Sequence, residues 1–142
     1  MRPGKVTFAD VYKSVSEVRH LYPREAAVYY GSGYDEYGWA VLLAGGSCPA
    51  IAVTDSVFLR SVASMVPSQP SDNIYTMAND KGEMVVAFAD DGATTVDLSF
   101  GRWQLYKINE KTGDVIFLRS LSPHERRVSL KGRNEIYWIK RL

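Results

Sequence analysis

One cysteine, Cys48, stands among 142 residues, which excludes a disulfide framework and any cysteine-rich zinc site. The two histidines, His20 and His124, have no Cys, His or carboxylate partner at ligand spacing, so no metal site is expected. Charge of one sign is also lacking. Lys and Arg total 17 against 16 Asp and Glu, a net charge of +1, which argues against a polyanion binder and so against nucleic acid as a partner. No apolar run approaches the roughly 18 residues of a membrane span; the longest lies around Trp39–Ala44, the length of a buried element. The basic start Met1-Arg2-Pro3-Gly4-Lys5 is followed by no apolar stretch, so this chain carries no signal peptide and its localisation stays open. The length is too short for a complete (β/α)₈ barrel, which needs roughly 200–250 residues.

What is present is enough apolar sequence to fold. Hydrophobic residues make up 46% and charged residues 23%, the composition of a chain with a core. Up to about Ser71 the period is helical. Phe8, Val11, Tyr12, Val15 and Val18 lie on one helix face, with Thr7 as N-cap, Asp10 as the acidic member of a capping box, and Pro23 as the stop. Ala26–Tyr30 reads as a short buried strand, broken by Gly31-Ser32-Gly33. A second helix is expected from Tyr34 or Asp35 to Ala44, stopped by Gly45-Gly46; Gly38 inside it points to close packing against a neighbour. A third starts at Thr54 or Asp55 and presents Phe58, Val62 and Met65.

After Asp72 short strands alternate with turns. Seven are expected, at Ile74–Met77, Met84–Ala89, Thr94–Leu98, Trp103–Ile108, Val115–Leu121, Arg127–Leu130 and Glu135–Leu142, which is the pattern of an antiparallel sandwich. The fold class is therefore α+β, a helical segment over 1–71 followed by a small antiparallel β-sandwich over 72–142. Charge is segregated within the second part. Residues 72–100 hold six acids and one lysine, net −5, and residues 101–142 hold ten bases and four acids, net +6. The reading favoured is two groups of strands whose solvent faces complement one another, rather than a basic face for an anion.

Catalytic chemistry finds little support. Cys48 has no histidine base in reach of a sequence argument and is expected to be a small buried thiol. Gly31-Ser32-Gly33 has the wrong spacing for a nucleophile elbow and too few glycines for a dinucleotide loop. Asp35 and Glu36 are adjacent, so on a helix they diverge by about 100° and cannot flank one glycosidic bond; a place in a helix first turn is expected for them. No catalytic residue, metal or cofactor is assigned. The tyrosines Tyr29, Tyr30, Tyr34 and Tyr37 carry a better case, because exposed aromatic faces form platforms for sugar rings.

Three stretches, Thr94-Thr95-Val96-Asp97-Leu98-Ser99, Gly101-Arg102-Trp103-Gln104-Leu105-Tyr106 and Asn109-Glu110-Lys111-Thr112-Gly113, together with the ending Glu135–Leu142, resemble the C-terminal β-sandwich of certain bacterial glycoside hydrolases, of the collagen-binding type that follows apiosidase-like barrels. Tyr37–Ser47 resembles the Trp-x-x-Leu-Leu-x-Gly helix late in such barrels. The resemblance implies that 1–71 is the last βα part of a barrel, with Ala26–Tyr30 a late strand, and that the chain is a non-catalytic accessory region of a hydrolase that is itself secreted or periplasmic. Its partners would be a carbohydrate or a catalytic barrel domain, with Tyr30, Tyr34 and Asp35 as sugar contacts. The strands that carry the catalytic acid and nucleophile in such barrels are absent, so no catalytic residue carries over. A barrel remnant should leave Val28, Trp39 and Leu43 exposed, a surface for oligomerisation. The rival reading is a stand-alone carbohydrate- or matrix-binding module, which needs Tyr75, Tyr106, Tyr137 and Trp138 exposed in a row.

Overall fold

The computed structural model describes residues 5–142; the basic start at Met1–Gly4, read above for targeting, lies outside the described residues. Contacts divide the chain into two compact units, Met1–Ile51 and Ala52–Leu142.

The first unit holds α1 (Phe8–Leu21) and α2 (Gly38–Leu43). The α1 start is the expected capping box: the Asp10 amide donates to Thr7 Oγ1 at 3.2 Å, and the Thr7 amide donates to Asp10 Oδ2 at 2.9 Å. Val11, Tyr12 and Val15 are buried, while Val18 is exposed. Burial raises the Tyr12 phenol above its ordinary range. Arg19 ties the end of α1 to the loop after α2, its guanidinium donating to the Gly45 carbonyl at 2.7 and 2.9 Å and to the Glu25 carbonyl at 2.7 Å. The glycine in α2 is explained by a close approach: a Cβ on Gly38 would overlap the Ala50 carbonyl.

Two expectations for this unit are corrected. Ala26–Tyr30 is not a strand, and among the described residues the first unit contains none. The segment carries no regular structure, and its backbone bond to another segment runs through Ala27, whose carbonyl accepts from the Ser47 amide at 2.7 Å. The expected exposed surface is also mostly absent. Val28 is exposed, but Trp39 and Leu43 are buried, so the expectation drawn from a barrel remnant fails at two of its three positions.

The second unit begins with α3 (Ser56–Ala63), capped by Asp55, whose carboxylate accepts from the Val57 and Phe58 amides at 3.0 and 2.9 Å. Eight strands follow: β1 (Val66–Ser71), β2 (Ile74–Ala78), β3 (Met84–Phe88), β4 (Asp91–Asp97), β5 (Trp103–Ile108), β6 (Val115–Leu121), β7 (Arg127–Arg133) and β8 (Ile136–Arg141). They form a six-stranded antiparallel sheet in the order β1-β2-β3-β8-β5-β6 and a two-stranded sheet β4-β7. β1 is the strand missing from the sequence reading. Pro67 and Pro70 within it are tolerated because it is an edge strand, where a missing N–H need not face a partner.

The sandwich core lies between the two sheets. Val96, Leu98, Val128 and Leu130 from β4, β7 and the residue after β4 meet Ile74, Val86, Phe88, Trp103, Leu105, Leu121 and Ile139 from the larger sheet. On that sheet's other face, register places Trp138 opposite Val85 and Tyr106, and the Phe58 ring of α3 meets Trp138 edge-on at 5.2 Å. Part of the segregated charge pairs across the smaller sheet, through Arg127 and Arg133. β4 pairs with β7 so that Asp97 faces Arg127, with Nε to Oδ1 at 2.8 Å, and Arg133 lies 3.6 Å from Asp90 and 3.9 Å from Asp91.

The capping box gives a first testable expectation. Thr7→Ala should destabilise the first unit by about 1 kcal/mol in denaturant melts. Hydrogen bonds from Thr7 hold the Asp10 carboxyl below its ordinary range. A depressed pKa contributes stability above the unfolded-state value that is lost as pH falls through the folded-state value. The backbone amide of residue 7, the first cause of the depression, survives in Thr7→Ala, so NMR titration should show the Asp10 midpoint rising only part of the way toward the ordinary carboxylate range; a midpoint back at that range would mean that the hydroxyl, not the amide, depresses it.

Candidate functional site

The tyrosine-rich segment is a loop between Ala27 and α2, and its own contacts shape it. The Tyr29 hydroxyl donates to the Ser32 carbonyl at 2.8 Å and closes the chain over Gly31, where a Cβ would collide with the Tyr29 ring. Gly33 takes φ +78°, a conformation that side chains rarely adopt, and its carbonyl accepts from the Tyr37 amide at 2.7 Å. Tyr37 packs against Gly33 and meets Phe8 edge-on at 6.3 Å. Two tyrosines are left to face solvent. Tyr30 is 82% exposed and Tyr34 46% exposed, with ring centroids 5.9 Å apart and planes inclined at 44°. Asp35 follows, also exposed, with one carboxylate oxygen accepting from the Glu36 amide at 3.0 Å.

Of the residues singled out as sugar contacts, the loop brings Tyr30 and Tyr34 together, and Asp35 follows Tyr34 in the chain as an exposed carboxylate. Asp35 and Glu36, however, are not in a helix first turn. α2 begins only at Gly38, so both acids sit in the preceding turn, and Glu36 lies 3.9 Å from Lys5.

The row of aromatics required by the rival module is not a surface. Tyr75 is 1% and Trp138 2% exposed, packed on the α3 side of the sheet. Tyr106 and Tyr137 are half-buried with their hydroxyls engaged, donating to Gln104 Oε1 at 2.8 Å and to the Lys131 carbonyl at 2.9 Å. Burial, then the neighbouring Glu135 charge, raise the Tyr137 phenol above its ordinary range. Cys48 is also corrected. It is exposed, at φ +53°, rather than a buried thiol. Among the described residues no three His, Cys, Asp or Glu side chains gather to hold a metal, and no helix is long and apolar enough to cross a membrane.

Sequence reasoning missed Glu83. Its carboxylate is buried beside a depression of about 250 Å³ bordered by Arg60, Ser64 and Lys81. Oε1 accepts from Ser61 Oγ at 3.2 Å and Asn79 Nδ2 at 3.0 Å, and Oε2 accepts from the Arg141 amide at 3.2 Å. These donors come from α3, the β2–β3 turn and β8, and no local pattern could have announced them.

Residues 1–65 match a family model described as a domain of unknown function, DUF6298. No curated protein matches the chain. Two solved structures are similar over 55% of this chain at 11% identity and a TM-score of 0.25. One is a mutant of a family 29 carbohydrate binding module, covered over 73% of its length; the other is a mutant made to probe ligand recognition by family 29 carbohydrate binding modules, covered over 68%.

Proposed function

We propose that the chain is a non-catalytic, sugar-contacting accessory region of a carbohydrate-active protein, with Tyr30 and Tyr34 as the platform and Asp35 as a hydrogen-bond acceptor. The observation that carries this reading is the Tyr30–Tyr34 pair, two solvent-facing rings held side by side by a loop that spends its other aromatic residues on its own support. A sugar ring has an apolar C–H face and a rim of hydroxyls. An aromatic face covers the first, and an exposed carboxylate beside it accepts from the second. The resemblance to the end of a glycoside hydrolase supplies the partner, a catalytic barrel. Val18, Leu21, Tyr22 and Val28, exposed apolar residues of the first unit outside the tyrosine pair, are where such a domain would dock.

Affinity electrophoresis of the chain against xylan, galactomannan, β-glucan and pectin tests the platform. At least one polysaccharide should retard the parent chain. Covering one ring face removes on the order of 60 Å² of apolar surface from water, roughly 1.5 kcal/mol, so Tyr30→Ala should weaken binding about tenfold. The double variant Tyr30→Ala/Tyr34→Ala should migrate as if no polysaccharide were present. Equal retardation of parent and double variant, or retardation by none of the four, overturns the assignment. Incubated with the same polysaccharides, the chain should release no reducing ends above buffer, and sustained turnover would reject the non-catalytic reading.

A further inference from the structure

The larger sheet is wider than the sheet that covers it. Six strands at about 4.8 Å spacing span roughly 24 Å between the outer two, whereas two strands with their side chains cover roughly 10 Å. β4 and β7 reach the core side of β3, β8 and β5 through Val86, Ile139 and Leu105, but at the turn end of β5 and β6 the same face stays open. Register puts Lys107 of β5 opposite Ile116 of β6 and Tyr137 of β8, all on that face. The result is a cleft of about 480 Å³, within the range of small-molecule sites, between the β5–β6 turn and the β7–β8 turn.

Both walls are fixed before any ligand arrives. The first wall is the turn 109–114. Asn109 Oδ1 accepts from the Lys111 and Thr112 amides at 2.9 and 3.0 Å, the Gly113 amide donates to the Asn109 carbonyl at 2.8 Å, and the Asn109 amide donates to the Asp114 carbonyl at 2.9 Å. Gly113, at φ +77°, lies so close to the backbone of Ala52 and Val53 that a Cβ would overlap it, which seats the turn on that segment. The second wall is Asn134, at φ +52°, and Glu135. The Glu135 side chain lies over Gly132, where a Cβ would collide with its Cγ, and this directs the carboxylate to Lys107 Nζ at 2.8 Å. The hydrogen bond to Glu135 holds the Lys107 ammonium above the usual lysine range.

We infer that this cleft binds a neutral polyhydroxylated molecule, a sugar or cyclitol, at a site separate from the Tyr30–Tyr34 platform. Lys107 and Lys111 are balanced by Glu110 and Glu135, so the lining has no net charge with which to select an ion. It sets donors beside acceptors, the Lys107 ammonium against the Glu135 carboxylate, with Asn109 and Asn134 also in the lining. A hydroxyl both donates and accepts, and two adjacent hydroxyls can engage the Lys107–Glu135 pair together, one accepting from the ammonium while the other donates to the carboxylate. Ile116, half-exposed at the cleft, offers an apolar patch for C–H groups.

The test is a ¹H–¹⁵N NMR titration of the full chain with the methyl glycosides of glucose, galactose and xylose, with myo-inositol, and with inorganic phosphate. At least one neutral probe should give saturable shifts at the Asn109, Lys111, Ile116 and Asn134 amides, with a Kd on the order of millimolar for so small a ligand. Glu135→Gln and Lys107→Met should each weaken that binding by roughly tenfold or more, as expected for loss of a charged hydrogen-bond partner, and the same spectra report whether each variant is folded. Tyr30→Ala should leave it unchanged, which separates this site from the platform. Shifts with phosphate alone, no shifts with any probe, or shifts that survive in both cleft variants overturn the inference.

Discussion

Phe58→Ala should destabilise the second unit by about 3–5 kcal/mol, the range for removing a fully buried aromatic side chain. Phe58 has no exposed surface, and its ring edge faces Trp138 at 5.2 Å with planes at 84°. α3 has eight residues, too few to persist as an isolated helix, so its packing onto the sheet is what keeps it folded. Losing the ring therefore removes apolar burial and the anchor of the helix together. Urea unfolding followed by tryptophan fluorescence should show the midpoint falling in Phe58→Ala. In Val57→Ala, truncated at an exposed neighbour on the same helix, it should stay within about 0.5 kcal/mol of the parent. Equal losses in the two variants would mean that burial against Trp138 does not decide the effect, since alanine favours the helix in both.

Local chemistry carried most of the fold into the sequence. The Thr7–Asp10 box, the Asp55 cap and the spacing of Phe58, Val62 and Met65 are each settled within one or two helix turns, and each stands where periodicity puts it. The failures are non-local. Ala26–Tyr30 has the composition of a strand, but a strand needs a ladder, and the chain supplies only Ser47 as a partner. β1 has the composition of a linker, yet an edge position lets a proline-bearing segment pair with β2. The tyrosine loop lies between these cases. Gly31 and Gly33 announced a break, and the break is what lets Tyr30 and Tyr34 meet; which of four tyrosines would turn outward depended on Phe8, some thirty residues away. The cleft at Lys107 was illegible for a plainer reason. Its charges come from the β5–β6 hairpin and from the β7–β8 turn that passes between the two sheets, and along the chain each looks like an ordinary solvated turn.

Glu83→Ala should cost at least as much as any single polar change in the second unit, on the order of 3 kcal/mol or more. Each of three donors, Ser61 Oγ, Asn79 Nδ2 and the Arg141 amide, loses its acceptor, and a buried donor left unpaired costs about 1–3 kcal/mol unless water reaches it. Asn79 keeps its other role in this variant, because its Oδ1 accepts from the backbone amides of Lys81 and Glu83 and shapes the turn that presents the carboxylate. Glu83→Gln should fall between parent and Ala. It keeps one oxygen for Ser61 and Asn79 but turns an N–H toward the Arg141 amide, a donor against a donor. A double-mutant cycle of Glu83→Ala with Ser61→Ala should return a coupling of about 0.5–3 kcal/mol, as expected for members of one hydrogen-bonded network. The sign of the Glu83→Ala effect also separates two roles for the residue. A carboxylate kept for ligand chemistry is held at a cost to the fold, and its removal stabilises. One that ties α3, the β2–β3 turn and β8 together destabilises when removed, and three satisfied partners on three elements put Glu83 in that second class.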